Sequence, residues 1–256
     1  MRAADGSAGD ADYAVIGDGY GRYRRPEPAF EAAILAALGD ARRVLNVGAG
    51  AGSYEPTDRE VTAVEPSASM RAQRPPHLSP AVDATAEALP FEDDAFDAAM
   101  TTFSVHQWED LGAGLREVRR VTRGPIVILT CDPERLDRFW LREYAPEVIA
   151  TEAGRYPGLD ELEAALGGTV ETAPLPIPLR CADGFGEAYY GRPEMLLDPG
   201  ARRANSAWSF VPEATAADSV ARLREDLASG AWDARHGALR TTPHFEGSLV
   251  LVTARP

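Results

Sequence analysis

Short apolar runs alternate along this chain with segments of helical periodicity. The runs at 44–47, 61–64 and 126–130 are brief, continuous and rich in Val, Leu and Ile, as is typical of parallel strands buried on both faces. Apolar side chains recur every three to four residues over 28–38 and 111–121, which predicts one amphipathic helix in each segment. The alternation of the two patterns predicts an α/β fold with a mostly parallel sheet.

Weaker signals predict further elements. A helix is expected over 67–73, stopped by Pro75 and Pro76, and a strand over 81–85. Prolines alternate through 174–178 and remove amide donors from one lateral side of an extended chain. That segment is therefore predicted to be an edge strand, with a polyproline-like loop as the alternative.

The first apolar run breaks into alternating glycines at Gly48, Gly50 and Gly52, and the second ends on Glu65. Glycines at the carboxyl end of a buried strand permit a sharp turn and leave no Cβ between a ligand and the backbone. A carboxylate at the end of the neighbouring strand can accept both hydroxyls of a ribose. Together these features predict a nucleoside site. Ser53 stands where a dinucleotide fingerprint needs its third glycine, which disfavours NAD.

The segment 44–52 followed by Glu65 resembles the first motif of class I S-adenosylmethionine-dependent methyltransferases. The stretch 84–91, with Phe96 and Asp97 after it, looks like the adenine-side loop and fourth strand of their small-molecule branch, which includes quinone and trans-aconitate methyltransferases. The segments 20–26 and 106–108 resemble the amino-terminal cofactor cover and the His or Gln before Trp of that branch.

This resemblance implies an α/β, Rossmann-like seven-stranded sheet, mostly parallel, with helices on both faces. It places the last strand, 248–253, antiparallel between the fifth strand and the edge strand. It also implies S-adenosylmethionine as the cofactor. The expected cofactor-binding residues are Tyr20, Arg24, Gly48, Ala49, Gly50, Glu65, Pro66, Met70, Thr85, Ala86, Glu87, Thr102 and Phe103.

Three features depart from the family pattern. Relatives place an acid where Asn46 stands and an Asp where Thr85 stands, and both replacements lack a charge. The crossover 53–60 is also short for a parallel connection and carries Pro56. We expect one turn of helix there at most, so that little helix dipole backs the glycine turn.

Composition narrows the possible partners. The 256 residues carry 26 basic and 40 acidic side chains, a net charge of −14 that repels nucleic acid phosphates and anionic membrane surfaces. Cys131 and Cys181 are the only cysteines and show no zinc-type spacing, which favours a reducing, cytoplasmic setting with no metal centre. No apolar run has the length of a membrane helix. A small-molecule partner is therefore expected, whereas the sequence does not indicate an oligomeric state.

The chain is expected to form one methyltransferase domain over 13–256 after a loose tail, 1–12. Within it we assign 13–40 to an amino-terminal cover, 41–180 to the core, 181–245 to an inserted lid and 246–256 to the last strand. The lid assignment follows from its length, which far exceeds a normal connection. Its aromatic and basic side chains predict a substrate wall formed with Trp108; the alternative is that they attach the lid to the core. The candidates are Trp108, Arg180, Tyr189, Tyr190, Arg192 and Trp208.

The predicted reaction is methyl transfer to a small molecule, with a hydroxyl acceptor preferred over an amine or a carbon. His106 is the candidate catalytic base because a neutral imidazole can deprotonate a hydroxyl near neutral pH; a histidine that fixes its loop is the alternative. Three other functions stay open: a non-catalytic cofactor-binding protein, an NAD-linked oxidoreductase, and an enzyme that uses the sulfonium in a rearrangement or cyclisation. The sequence does not identify the acceptor or its pathway.

Overall fold

The computed structural model describes residues 20–256, without the Tyr20 side chain. Its α-helices are Tyr20–Tyr23 (α1), Pro28–Leu38 (α2), Ala68–Ala72 (α3), Leu111–Val121 (α4), Pro146–Arg155 (α5), Leu159–Leu166 (α6), Pro199–Arg203 (α7), Glu213–Ser229 (α8) and Ala231–His236 (α9). Its strands are Arg43–Val47 (β1), Glu60–Val64 (β2), Ala98–Thr102 (β3), Ile126–Cys131 (β4), Thr169–Pro174 (β5), Ile177–Pro178 (β6), His244–Phe245 (β7) and Leu249–Arg255 (β8). Short 3-10 helices span Val105–Gln107, Pro133–Arg138, Trp140–Glu143, Gly186–Tyr189, Pro193–Leu197, Ser206–Phe210 and Gly237–Arg240. The predicted tail and residues 13–19 of the predicted cover lie outside the described residues.

Six strands form the main sheet in the order β2-β1-β3-β4-β8-β5. The first four are parallel, so that their carboxyl ends meet at one edge. The strand β8 runs antiparallel between β4 and β5, as the resemblance implied. Polar residues that follow β1, β2 and β3 are thereby brought together at one edge of the sheet, where open α/β sheets bind their ligands.

Alternate side chains of the buried strands point to opposite faces of the sheet. On one face Val44 and Met100 pack with Phe30 and Ile34 of α2. On the other face Leu45, Ala99 and Ile128 pack with Leu115 and Val118 of α4 and with Leu162 and Leu166 of α6. The apolar spacing of α2 and α4 therefore predicted correctly which helices cover the sheet, and helices lie on both faces as expected.

The expected seven-stranded sheet is wrong by one strand. Residues 81–85 make only an isolated bridge, in which Val82 pairs with Val64 through Val82 N to Ala63 O (2.8 Å) and Glu65 N to Val82 O (3.0 Å). The bridge forms at the last residue of β2, where the chain already turns toward Glu65 and α3. Because β2 ends there, the ladder cannot extend.

The edge strand lies earlier in the chain than predicted. It is β5, and Pro174 is its last residue rather than its first. Nearly all of β5 is solvent-exposed, as befits an edge. Beyond Pro176, Ile177 and Pro178 leave this sheet and pair with His244 and Phe245 in a separate two-stranded sheet. The prolines thus end the edge strand and separate it from β6.

Two further observations concern the connections. Between β1 and β2 the structure has turns and no helix, which confirms the predicted lack of a full crossover helix. The segment 181–245, which the sequence assigned to a lid, holds α7, α8 and α9 together with four of the 3-10 helices. Within residues 20–256, none of the helices has both the length and the apolar character needed to cross a bilayer.

Candidate functional site

The glycine turn after β1 forms the floor of a groove at the carboxyl edge of the sheet. Gly48 and Gly50 have φ values of +67° and +52°, a region that residues with a Cβ seldom adopt. A Cβ at Gly48 would lie 1.8 Å from the Oγ atom of Ser104, which follows β3. The turn is held by Ala49 N to Val64 O, at 2.9 Å. Bare backbone is therefore required at Gly48 both by conformation and by space.

Glu65 projects from the end of β2 into the same groove. Its Oε2 atom accepts from Gly50 N at 2.7 Å, and its Oε1 atom accepts from Ser67 N at 2.8 Å. The residue is 7% exposed, and burial raises the pKa of its carboxyl while the two backbone donors oppose that shift. Each carboxylate oxygen has more than one lone pair, so both oxygens keep the capacity to accept a hydroxyl. The carboxylate faces the groove rather than bulk solvent.

The groove has a volume of about 890 Å³, its open mouth included. It is not filled by side chains, and most of the expected cofactor-binding residues border it. The bordering residues from that set are Arg24, Gly48, Ala49, Gly50, Glu65, Pro66, Met70, Ala86, Glu87, Thr102 and Phe103, and Trp108 joins them from the predicted substrate set. Thr85 does not border the groove, in contrast to the prediction, because the backbone presents Ala84 and Ala86 on either side of it. Tyr20 cannot be placed, since its side chain lies outside the described residues.

Sequence reasoning missed an acid at one end of the groove. Asp183, from the lid segment, is buried there and forms an ion pair with Arg24. Its Oδ2 atom accepts from the Tyr54 hydroxyl at 2.8 Å, and the Arg24 guanidinium lies 4.9 Å from the centre of the Phe103 ring. Burial beside Asp183 raises the pKa of Tyr54 far above its ordinary value, so Tyr54 stays a donor. The groove thus ends in one cation and one anion.

The acid that relatives carry in the first strand is displaced in this chain. Asn46 donates from Nδ2 to Glu55 Oε1 at 3.0 Å, and Glu55 is paired through both oxygens with Arg74. Glu55 and Arg74 are almost fully buried, and neither borders the groove. The charge of Glu55 is therefore matched inside the protein. At this end of the groove, Asp183 contributes the bordering carboxylate instead.

A second cavity, here called the rear cavity, lies between β4, the segment 136–152 and the segment 185–208, and has a volume of about 410 Å³, its opening to solvent included. Apolar side chains dominate its lining. The lining residues are Cys131, Leu136, Phe139, Leu141, Val148, Ile149, Glu152, Phe185, Gly186, Glu187, Asn205, Ala207 and Trp208. Of the predicted substrate residues, only Trp208 borders it.

The other lid candidates do not form a substrate wall. Tyr190 is fully buried, donates its hydroxyl to Thr242 O at 2.7 Å and stacks on Phe245. Tyr189 is also buried, beneath the guanidinium of Arg192, which donates to the carbonyls of Cys181 and Ala188. Arg180 is exposed and borders neither cavity. Tyr189, Tyr190 and Arg192 therefore pack within the segment 181–245 and border neither cavity. The alternative interpretation, attachment of this segment to the core, is supported at Tyr190, whose carbonyl accepts from Trp140 Nε1 at 2.8 Å.

His106 lies beside the groove rather than on its wall. It belongs to the 3-10 helix Val105–Gln107, and its neighbour Gln107 borders the groove. The imidazole packs on the Tyr156 ring with centroids 4.3 Å apart. Burial raises the pKa of the Tyr156 hydroxyl well above its usual value, and the nearby Cys131 adds to the shift. His106 and Tyr156 therefore lie between the groove and the rear cavity, since Cys131 lines the latter.

Comparison with known proteins agrees with this geometry. Residues 45–125 match the family model described as a methyltransferase domain. A protein of Anabaena variabilis, described as a methyltransferase from an antibiotic biosynthesis pathway, has a crystal structure that superposes with a TM-score of 0.84; it is 27% identical, and the match covers 91% of this chain and 98% of that one. The segment that holds the glycine turn, Glu65 and β3 is thus similar to a methyltransferase domain, and the whole described fold is similar to that of a methyltransferase.

Two further relatives extend the comparison. Malonyl-[acyl-carrier protein] O-methyltransferase of Pseudescherichia vulneris is 38% identical to this chain over 98 residues, which are 35% of this chain and 39% of the relative. The chain spans less than two fifths of the curated relatives that it matches. The plantazolicin methyltransferase BpumL, solved with S-adenosylhomocysteine, shares the fold with a TM-score of 0.53 at 12% identity, over 95% of this chain and 90% of that one.

The residues of the groove suit S-adenosylmethionine, the cofactor that the sequence resemblance implies. The bare backbone at Gly48 leaves a cradle that a Cβ would fill. The Glu65 carboxylate suits a ribose diol, and the paired Arg24 and Asp183 offer opposite charges to a zwitterionic amino-acid end. The displaced acid near Asn46 does not alter this fit, because its charge is matched by Arg74.

Proposed function

We propose that this methyltransferase transfers the methyl group of S-adenosylmethionine to a small-molecule acceptor. The observation that carries the proposal is the Glu65 carboxylate, which faces an open groove floored by the backbone of Gly48 and Gly50. The shared fold and the matching family model support the same activity. The small size of the groove and the net charge of −14 favour a small molecule over nucleic acid, and a cytoplasmic setting remains part of this proposal.

The bound cofactor supplies a methyl group already activated on a sulfonium, so the protein's task is mainly alignment and exclusion of water. Glu65 is proposed to hold the ribose, and Ala86 and Glu87 to border the adenine. Arg24 and Asp183 are proposed to hold the carboxylate and the ammonium of the amino-acid end. Thr102 and Phe103, at the end of β3, then face the reacting centre between the two cavities.

An oxygen acceptor is the preferred form of this proposal. The malonyl-[acyl-carrier protein] relatives are O-methyltransferases, which favours oxygen without identifying the acceptor. A hydroxyl acceptor must lose a proton, and His106 is the proposed base because it lies between the groove and the rear cavity. Its contact with Tyr156 fixes the ring plane.

The cofactor site is tested by titrating S-adenosylhomocysteine into Glu65→Ala and Glu65→Gln variants in a calorimeter. Removal of the carboxylate deletes one or two charge-assisted hydrogen bonds, so we expect Kd to rise about tenfold or more in Glu65→Ala. Glu65→Gln keeps one acceptor oxygen and should lie between that variant and the wild type.

Glu117→Gln is the matched control for this titration. Glu117 also accepts a backbone N–H, from Leu89, and it pairs with Arg120 on α4 outside the groove. Its substitution should leave the affinity within about twofold of the wild type. Unchanged affinity in Glu65→Ala would contradict the proposed site. Tight cofactor binding without methylated product from any acceptor would favour the non-catalytic alternative, and an unmethylated rearranged product would favour the rearrangement enzyme.

A further inference from the structure

The rear cavity adjoins the groove through a pair of aromatic rings. Phe103 borders the groove where β3 ends, and Phe185 lines the rear cavity. Their ring centroids are 5.5 Å apart, so the two cavities share an aromatic wall. Tyr156, which contacts His106 on one side, neighbours Cys131 of the rear cavity on the other. A molecule held in the rear cavity would therefore lie next to the proposed reacting centre.

The charged side chains that line the rear cavity are all acidic. Glu187 is 2% exposed and accepts from Ser248 N at 3.0 Å and from Ser248 Oγ at 2.5 Å. Glu152 also lines the cavity, near Arg155. Among the described residues that line it, none is a lysine, arginine or histidine. Two cations lie behind these acids, since Glu152 pairs with Arg155 and the charge of Arg135 acts on Glu187, but neither arginine lines the cavity. An anion in the cavity would therefore meet carboxylates first, whereas a neutral or cationic donor would find acceptor oxygens.

We propose that the rear cavity is the acceptor site of this methyltransferase, and that it takes an apolar, ring-sized molecule with a neutral or cationic hydrogen-bond donor while it rejects carboxylates. Phe139, Phe185 and Trp208 supply flat apolar surfaces for such a ring, and Glu187 supplies the acceptor oxygen. The proposal rests on the proposed function, since it names the partner of the same reaction. Under this proposal, this chain does not share the anionic, malonyl-type acceptor of the relatives named above.

Three matched probes test the chemical class: 2-naphthol, 2-naphthylmethylamine and 2-naphthoate, each added to protein saturated with S-adenosylhomocysteine. The titrations are run at about pH 8, above the pKa of about 7 to which burial raises the Glu187 carboxyl. We expect the alcohol and the amine to bind at least about tenfold more tightly than the carboxylate. The Ile149 methyl signal should shift in NMR spectra on binding, while that of Ile34, on the buried face of α2, should not.

Two variants locate the binding site. Gly186 lines the cavity, and a Cβ there would meet no atom within 4 Å, so Gly186→Leu adds a bulky side chain at the cavity wall with no clash at Cβ. We expect it to weaken all probe binding about tenfold or more, with S-adenosylhomocysteine affinity within about twofold of the wild type. The exposed Gly154 on α5 also leaves space for a Cβ, and Gly154→Leu is the control that should change neither. Glu187→Gln keeps the side-chain shape and should reduce the discrimination against 2-naphthoate to about twofold.

Several outcomes would overturn the assignment. Binding of 2-naphthoate as tight as that of the other probes would contradict the chemical class. Binding that survives Gly186→Leu, or that leaves the Ile149 methyl signal unmoved, would contradict the location. Failure of all three probes to bind at about 1 mM, with S-adenosylhomocysteine bound normally, would contradict the acceptor site while leaving the cofactor site intact. Failure to bind S-adenosylhomocysteine would instead defeat the proposed function itself.

Discussion

The groove and the rear cavity lie side by side at the same edge of the sheet but are built from different material. The groove is floored by backbone, and its polar ends are Glu65 at one side and the pair of Arg24 and Asp183 at the other. The rear cavity is walled mostly by apolar side chains, with the buried Glu187 and the partly exposed Glu152 among its lining residues. A backbone floor tolerates few changes because it depends on main-chain conformation, whereas a side-chain wall can change with each substitution. The fold therefore determines the proposed cofactor site, whereas individual side chains determine the proposed acceptor site.

The largest expected effect tests the backbone floor through Gly48→Ala. A Cβ at Gly48 would overlap Ser104 Oγ, and φ there is +67°. Conformational strain and overpacking together should lower the free energy of unfolding by about 3 kcal/mol. Because the turn must shift, S-adenosylhomocysteine affinity should fall by about a hundredfold in calorimetric titration.

Gly39→Ala is the matched control for the glycine turn. Gly39 follows α2 with φ of +57°, and a Cβ there would meet no atom within 4 Å. This variant should lose about 1 kcal/mol from backbone strain alone and retain cofactor affinity. Equal affinity losses in both variants would show that the effect is general destabilisation, and retained affinity in Gly48→Ala would show that the floor is not the binding surface.

The next largest effect is a pH dependence of the free energy of unfolding, which comes from the Glu187 carboxyl in the rear cavity. Burial raises the pKa of Glu187 to about 7 in the folded protein, above its value in the unfolded chain. The folded state therefore carries no penalty from this group below the unfolded pKa, and the penalty grows as pH rises toward about 7 and then levels off. Urea unfolding gives the free energy of unfolding of Glu187→Gln and of the wild type between about pH 5 and pH 8. The difference between these two free energies should shift by about 2 kcal/mol in favour of the variant as pH rises. A difference independent of pH would contradict the buried, ionising carboxyl.

The groove was largely predictable because its determinants are local in sequence. Gly48, Gly50 and Glu65 directly follow two successive strands, and parallel strands bring such residues to one edge whatever the rest of the chain does. The strand predicted over 81–85 is absent for an equally physical reason, because β2 ends at Val64 and leaves one bridge where a ladder was expected. The apolar pattern identifies a segment that is able to pair in a sheet. It does not show where the neighbouring strand ends.

The rear cavity and the acid at the groove end were not predictable in this way. Asp183 meets Arg24 across 159 positions of sequence, and it reaches the groove only because the lid folds back over α1 and the glycine turn. Tyr189 and Tyr190 are aromatic residues of the kind that can form a substrate wall, yet both are buried in the protein interior. Their direction depends on contacts with β7 and the segment that follows α9, which no local spacing encodes.

The smallest expected effect is that of Asp183→Asn, at the end of the groove where Asp183 pairs with Arg24. If Asp183 faces the ammonium of the cofactor, its neutralisation should weaken S-adenosylhomocysteine binding about tenfold. Binding of 5′-methylthioadenosine, which lacks the amino-acid end, should hardly change. The ratio of the two affinities is insensitive to partial unfolding, which matters because Asp183 also holds Tyr54. Asp198→Asn is the control, since Asp198 accepts from Tyr23 but does not border the groove. An unchanged ratio in Asp183→Asn would show that Asp183 does not face the ammonium of the cofactor and that its role is to hold Arg24 and Tyr54.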